Sequence, residues 1–144
     1  MKRAFSLFVL SCIFSGYCFS QTVNNVRITV EITNAVINGG TVYLAIFSNA
    51  EEFRREEPYT AFELAANNSI LSRELSLPRG EYVISAFQDA NNNKTLDFGL
   101  FGIPRELVGI SNYSGRGFPS RDFNRQKIMI DNTTGNVTIG LYKF

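Results

Sequence analysis

The nine residues Asp89–Asp97, DANNNKTLD, set two carboxylates around three asparagines one residue after the apolar run YVISAF. Oxygens at this spacing suit a hard cation. Calcium takes roughly six to eight oxygens, and a loop of about 12 residues can supply them from its first, third, fifth, seventh, ninth and twelfth positions, the seventh through a backbone carbonyl. Counted from Asp89, these positions are Asp89, Asn91, Asn93, Thr95, Asp97 and Leu100. The first five carry a suitable oxygen; Leu100 cannot supply the closing carboxylate. The sixth position, normally glycine, is Lys94, and a left-handed lysine costs on the order of 1–2 kcal/mol. Since YVISAF alternates as a strand does, the expectation is a calcium loop carried on a strand, not a helix-loop-helix site. Two formal carboxylates beside a lysine imply weak affinity, roughly 10⁻⁴ to 10⁻³ M. Glu106 and Asp122 are further candidate ligands from the segment that follows. The alternative is a metal-free turn, because Asn and Asp also bond their own backbone.

Other chemistry has little to work with. The chain has no histidine, and its two cysteines, Cys12 and Cys18, fall within the first 20 residues. Ser-His-Asp and Cys-His arrangements therefore cannot be assembled, and soft-metal sites lose their usual ligands. A carboxylate-pair glycosidase drawing on Asp89, Asp97 or Glu106 is formally open, but carboxylates engaged by calcium are not free for acid–base work, and no enzyme is expected. The segment around Asn112, Tyr113, Arg116, Phe118 and Arg121 mixes aromatic rings with guanidinium groups. It is a candidate loop for a glycan or a cell-surface protein, or else solvated arginines with phenylalanines tucked into the core.

The elements that must position these residues follow from pattern. The chain opens with Lys2 and Arg3, an apolar stretch from Ala4 to Phe14, and small residues ahead of Gln21. That is the layout of a signal peptide over residues 1–20, which leaves 21–144 as one domain exported to periplasm, surface or medium, with no membrane span once the leader is removed. Taking Lys2 and Arg3 from the 14 Lys and Arg leaves 12 against 13 Asp and Glu, a formal charge of −1. So even a balance argues against nucleic acid as a partner. Val26, Ile28, Val30 and Ile32 alternate with polar residues, and after the turn signal NGG comes TVYLAIFS, so the two runs are expected to form a hairpin. The charged stretch 51–68, with Pro58, argues against strand and allows a short helix around Tyr59–Ala66. Further strands are expected in SILSREL, EYVISAF, KIMI and NVTIGLYKF. About seven short strands make the expected class all-β, an antiparallel sandwich of the immunoglobulin-like or transthyretin-like kind.

The run GEYVISAFQDANNNKTLDFGLFGIPRELVGISN, followed by GRGFPSRDFNRQKIMI, resembles the bacterial secreted family catalogued as domain of unknown function 2141. The positions that match its pattern are Asp89, Asn91, Asn93, Asp97, Gly102, Pro104, Glu106, Gly109, Ser111 and Asn112; Gln88 stands where the family usually has histidine. The resemblance implies an exported β-sandwich and brings no activity with it.

Overall fold

The computed structural model describes residues 24–144; the expected leader, 1–20, lies outside them. Period-2 burial decides the architecture. Strand β1 (Asn25–Thr33) turns Val26, Ile28, Val30 and Ile32 into the core and leaves the intervening residues outside. It pairs antiparallel with β4 (Leu71–Pro78), Ile28 opposite Leu75, and parallel with β8 (Asn136–Gly140), Val30 opposite Val137. The second sheet is built on β2 (Thr41–Phe47), flanked by β3 (Thr60–Ala65) and β5 (Gly80–Asp89). Beyond β5 lies β6 (Leu107–Ile110), and β7 (Ile128–Ile130) joins the start of β5. Val42, Leu44, Ile46, Ile84 and Ala86 from this sheet meet Ile28, Val30, Leu75 and Ile139 from the other in one core.

The fold is therefore mostly β, with two sheets and eight strands among the described residues where about seven were expected, and the β1–β8 pair departs from a purely antiparallel arrangement. Two further expectations are corrected. β1 and β2 do not form a hairpin; they lie in different sheets. Alternation shows that each strand has one apolar face but not whether two such faces lie side by side or opposite, and the connection across 34–40 settles the matter here. Val36 in that connection donates its N–H to Gln88 Oε1 (2.8 Å) and accepts from Gln88 Nε2 (2.7 Å), so the link is tied to β5. Gly40, at φ 98°, lies so close to β5 that a Cβ there would come within 1.8 Å of the Asp89 carbonyl oxygen. The second correction concerns 51–68, where the helix comes earlier and a strand takes the place expected for it. Helix α1 is Ala50–Arg55, capped by Asn49, whose Oδ1 accepts from the N–H groups of Glu51 and Glu52. After Pro58 the residues TAFELA form β3, with Phe62 and Leu64 packed against the core.

The outer face of the larger sheet carries a second cluster. Phe53 of α1 and Phe123 of the short helix α2 (Phe123–Gln126) cover Phe47, Val83 and Ile110. At the end of the chain, Leu141 donates its N–H to Thr33 of one sheet (3.0 Å), while the next residue, Tyr142, exchanges hydrogen bonds with Val108 of the other (2.9 and 3.0 Å). The two sheets are thus laced together along that side.

Candidate functional site: the Asp89–Asp97 loop

Asp89 is the last residue of β5, on the strand face that also carries Phe87 and Ser85, and the loop folds back over it until nothing of it reaches solvent (0% exposed). Its two oxygens hold the turn. Oδ1 accepts from the N–H of Asn93 (3.3 Å) and Oδ2 from the N–H of Lys94 (2.8 Å). Asn92 and Lys94 are both left-handed, at φ 58° and 65°. Aiming successive amides at a buried anion requires such a bend, and hydrogen bonds to a charged acceptor offset the strain expected at Lys94.

At the mouth of the loop three side chains meet at one atom. The amides of Asn91 and Asn93 donate to Asp97 Oδ2, at 2.7 and 3.0 Å. Their own oxygens face the backbone: Asn91 Oδ1 accepts from Asn93 N–H (3.2 Å), and Asn93 Oδ1 from Thr95 N–H (2.9 Å) and Oγ1 (3.0 Å). Glu106 closes the base. It is 6% exposed, and its carboxylate accepts from Ala90 N–H (3.0 Å) at one end of the loop and Asp97 N–H (3.2 Å) at the other. No ion pair among the described residues involves Asp89, Asp97 or Glu106; those present are Glu51 with Arg54 and Arg55, and Glu81 with Lys127. Among the same residues, no three Asp, Glu, His or Cys side chains come together as a cluster able to hold a metal.

The structure thus brings Asp89, Asn91, Asn93, Thr95, Asp97 and Glu106 into one unit, with Glu106 bracing the backbone. It leaves Asp122 out: that carboxylate caps α2 by accepting from Asn124 N–H (2.9 Å), and none of its hydrogen bonds reaches the loop.

The second candidate group is divided. Asn112 turns its amide to the Lys127 carbonyl oxygen (2.6 Å). The Tyr113 hydroxyl donates to the Gly117 carbonyl oxygen, its ring sits edge-on to Tyr142 at 5.5 Å, and loss of water around the phenol pushes its pKa up. Phe118 stacks on Phe144 (5.4 Å) and stays exposed, as do Arg116 and Arg121. Ser111, which the family pattern marks without a role, is a buried hydroxyl that donates to the Gln126 carbonyl oxygen (2.6 Å) and accepts from Ile84 N–H (3.1 Å). Gln88 was named only as a departure from the family pattern, and its clamp on Val36 was not read from the sequence. A polar residue at an inward position of an otherwise apolar strand was the available signal for Gln88.

No curated protein and no solved structure matches the chain. A family model does match, over residues 30–142, and the chain belongs to the family it describes, an uncharacterized protein conserved in bacteria (DUF2141).

Proposed function

We propose that this chain is an exported, non-catalytic β-sandwich module, of the immunoglobulin-like or transthyretin-like kind, in which the Asp89–Asp97 loop holds one calcium ion as a structural brace. The observation that carries this reading is the meeting of Asn91, Asn93 and Asp97 at Asp97 Oδ2. A half-turn of each amide, exchanging the bonds their oxygens now accept from Asn93 and Thr95 for bonds to an ion, would bring three oxygens to that point. Without a cation such a cluster repels itself; with one it becomes a ligand set. The donors that fit are the carboxylates of Asp89 and Asp97, the amide oxygens of Asn91 and Asn93, and the Thr95 carbonyl. Neither Asp89 nor Asp97 has an ion-pair partner among the described residues, which leaves their charge for a cation to balance. A bound ion would supply charge and rigidity to the crossover between β5 and β6, and no chemistry beyond that. The missing histidines and the engagement of every carboxylate here in backbone or amide hydrogen bonds support a non-catalytic role. The leader-like opening supports export.

Thermal unfolding of the domain with and without calcium tests the proposal. At about 100 times the dissociation constant a ligand stabilises the folded state by roughly 2.7 kcal/mol. For a domain of this size that corresponds to a rise in Tm of about 10 °C. The same concentration of magnesium should do much less, because magnesium keeps its waters and accepts only near-octahedral sites. Asp97→Asn should abolish the calcium-specific shift. An unchanged melting curve in about 10 mM calcium would leave a self-bonded polar turn and nothing more.

A further inference from the structure

Between the candidate calcium loop and β6 the chain makes a tight turn at Leu100–Gly102 that displays its apolar side chains to solvent. Phe101 is 98% exposed and Leu100 80%. Phe101 adopts φ 61°, a left-handed conformation that is a genuine outlier for a bulky residue. The following residue, Gly102, is also left-handed (φ 70°), and a Cβ added to it would meet nothing within 4 Å. The turn therefore projects Phe101 where glycine would have made the easier bend. Leu100 and Phe101 border a shallow groove with Ile103 and Phe144, and Phe144 stacks on the exposed Phe118, which extends the apolar surface. The cations of this groove are Arg105 and Lys143; neither takes part in an ion pair among the described residues.

We propose that this turn is an interfacial anchor: Leu100 and Phe101 insert into the headgroup boundary of an anionic lipid surface, and Arg105 and Lys143 meet the lipid phosphates. Shape and chemistry favour this occupant. Two adjacent large apolar side chains stand out from a loop tip at the rim of a shallow, open groove, the form suited to penetration of an interface. The collar is cationic, and basic residues close to an anionic bilayer add attraction that salt weakens. The groove offers no Asp, Glu, Asn or Gln side chain to bond sugar hydroxyls, which sets it apart from a glycan site. The near-zero net charge of the chain hides this local pair of cations. The inference does not depend on calcium.

The experiment is co-sedimentation of the domain, residues 21–144, with phosphatidylglycerol vesicles and with phosphatidylcholine vesicles, in EDTA so that no divalent ion bridges protein to lipid. Binding to phosphatidylglycerol is expected, with a loss of about tenfold or more in Leu100→Ser/Phe101→Ser and a comparable loss in Arg105→Glu/Lys143→Glu. Both pairs are exposed, and circular dichroism melts confirm that the variants fold. Wild-type binding no stronger to phosphatidylglycerol than to phosphatidylcholine overturns the proposal, as does equal binding by the Leu100→Ser/Phe101→Ser variant. Retention on a polysaccharide column without vesicle binding, or a concentration-dependent dimer that the serine pair abolishes without vesicle binding, also overturns it in favour of another occupant.

Discussion

At the residue scale, Glu106 shows how the site differs from a list of oxygen-bearing side chains. In the sequence it was one of two extra ligand candidates, and nothing separated it from Asp122 except position. In the structure its carboxylate accepts one N–H from each end of the loop, while Asp122 serves a helix cap. A glutamine at 106 keeps one acceptor and turns a donor toward the second N–H, so one part-buried amide loses its partner. Leaving such a group unsatisfied costs about 1–3 kcal/mol. Glu106→Gln should therefore lower the unfolding free energy from urea titration by that amount with no calcium present, and Glu106→Ala should lower it further. A change below about 0.5 kcal/mol would show that the brace does not hold the loop. The metal-candidate residues were legible because Asx side chains at alternate positions announce themselves by type. The bracing was not, because it depends on where residue 106 returns in space.

At the scale of elements, the sequence carried strands well wherever apolar residues alternated over six positions or more, as in β1, β2 and β5. It failed where a charged run stood next to a short alternation. Glu51, Arg54 and Arg55 form the exposed face of α1, with Glu51 bonded to Arg54 (2.8 Å) and Arg55 (2.7 Å), so the run is a solvated face carried on a helix that its charges alone did not reveal. In β3 the cue was only Phe62 and Leu64, too few to outweigh the nearby Pro58. The sequence did contain the start signal of α1, a Ser-Asn pair followed by Glu52. Asn49 caps the helix, while Glu52 reaches back to accept from the N–H of Ser48 (2.7 Å) and its hydroxyl (3.0 Å). Because α1 is only six residues long, it cannot stand on helix propensity alone. It depends on this cap and on Phe53 packing edge-on against Phe47 at 5.3 Å. Asn49→Ala should accordingly cost about 1 kcal/mol. Hydrogen exchange should quicken in Phe53–Glu57 while β2 and β5 keep their protection; uniform quickening would mean that α1 is part of the global folding unit and not a local cover.

For the molecule as a whole, the two long sides of the paired sheets differ. β3 and β4 are the outer strands on one side, where the Arg73 guanidinium lies over the Phe62 ring at 4.5 Å and shields the core from water. On the other side the sheets touch. Gly109 of β6 faces the core opposite Ala86, and a Cβ added to it would come within 2.3 Å of the Gly140 carbonyl oxygen of β8. The chain then crosses from Thr33 to Val108 as partner within two residues, Leu141 and Tyr142. Such closeness is available only to a residue without a side chain, and backbone oxygens cannot swing aside as the end of a lysine can. Gly109→Ala must therefore push β6 away from β8 and break the seam. Overpacking of this kind costs about 1–3 kcal/mol and sometimes more. Since the seam joins both sheets, the loss should be global: a lower midpoint in urea, with protection from exchange falling together in β1, β5, β6 and β8. The matching change at the open side, Arg73→Ala, removes only a cover over Phe62 and should cost less than about 1 kcal/mol. If the two substitutions proved equally mild, the sheets would be held by their shared core alone, and the contact at Gly109 would be proximity without consequence.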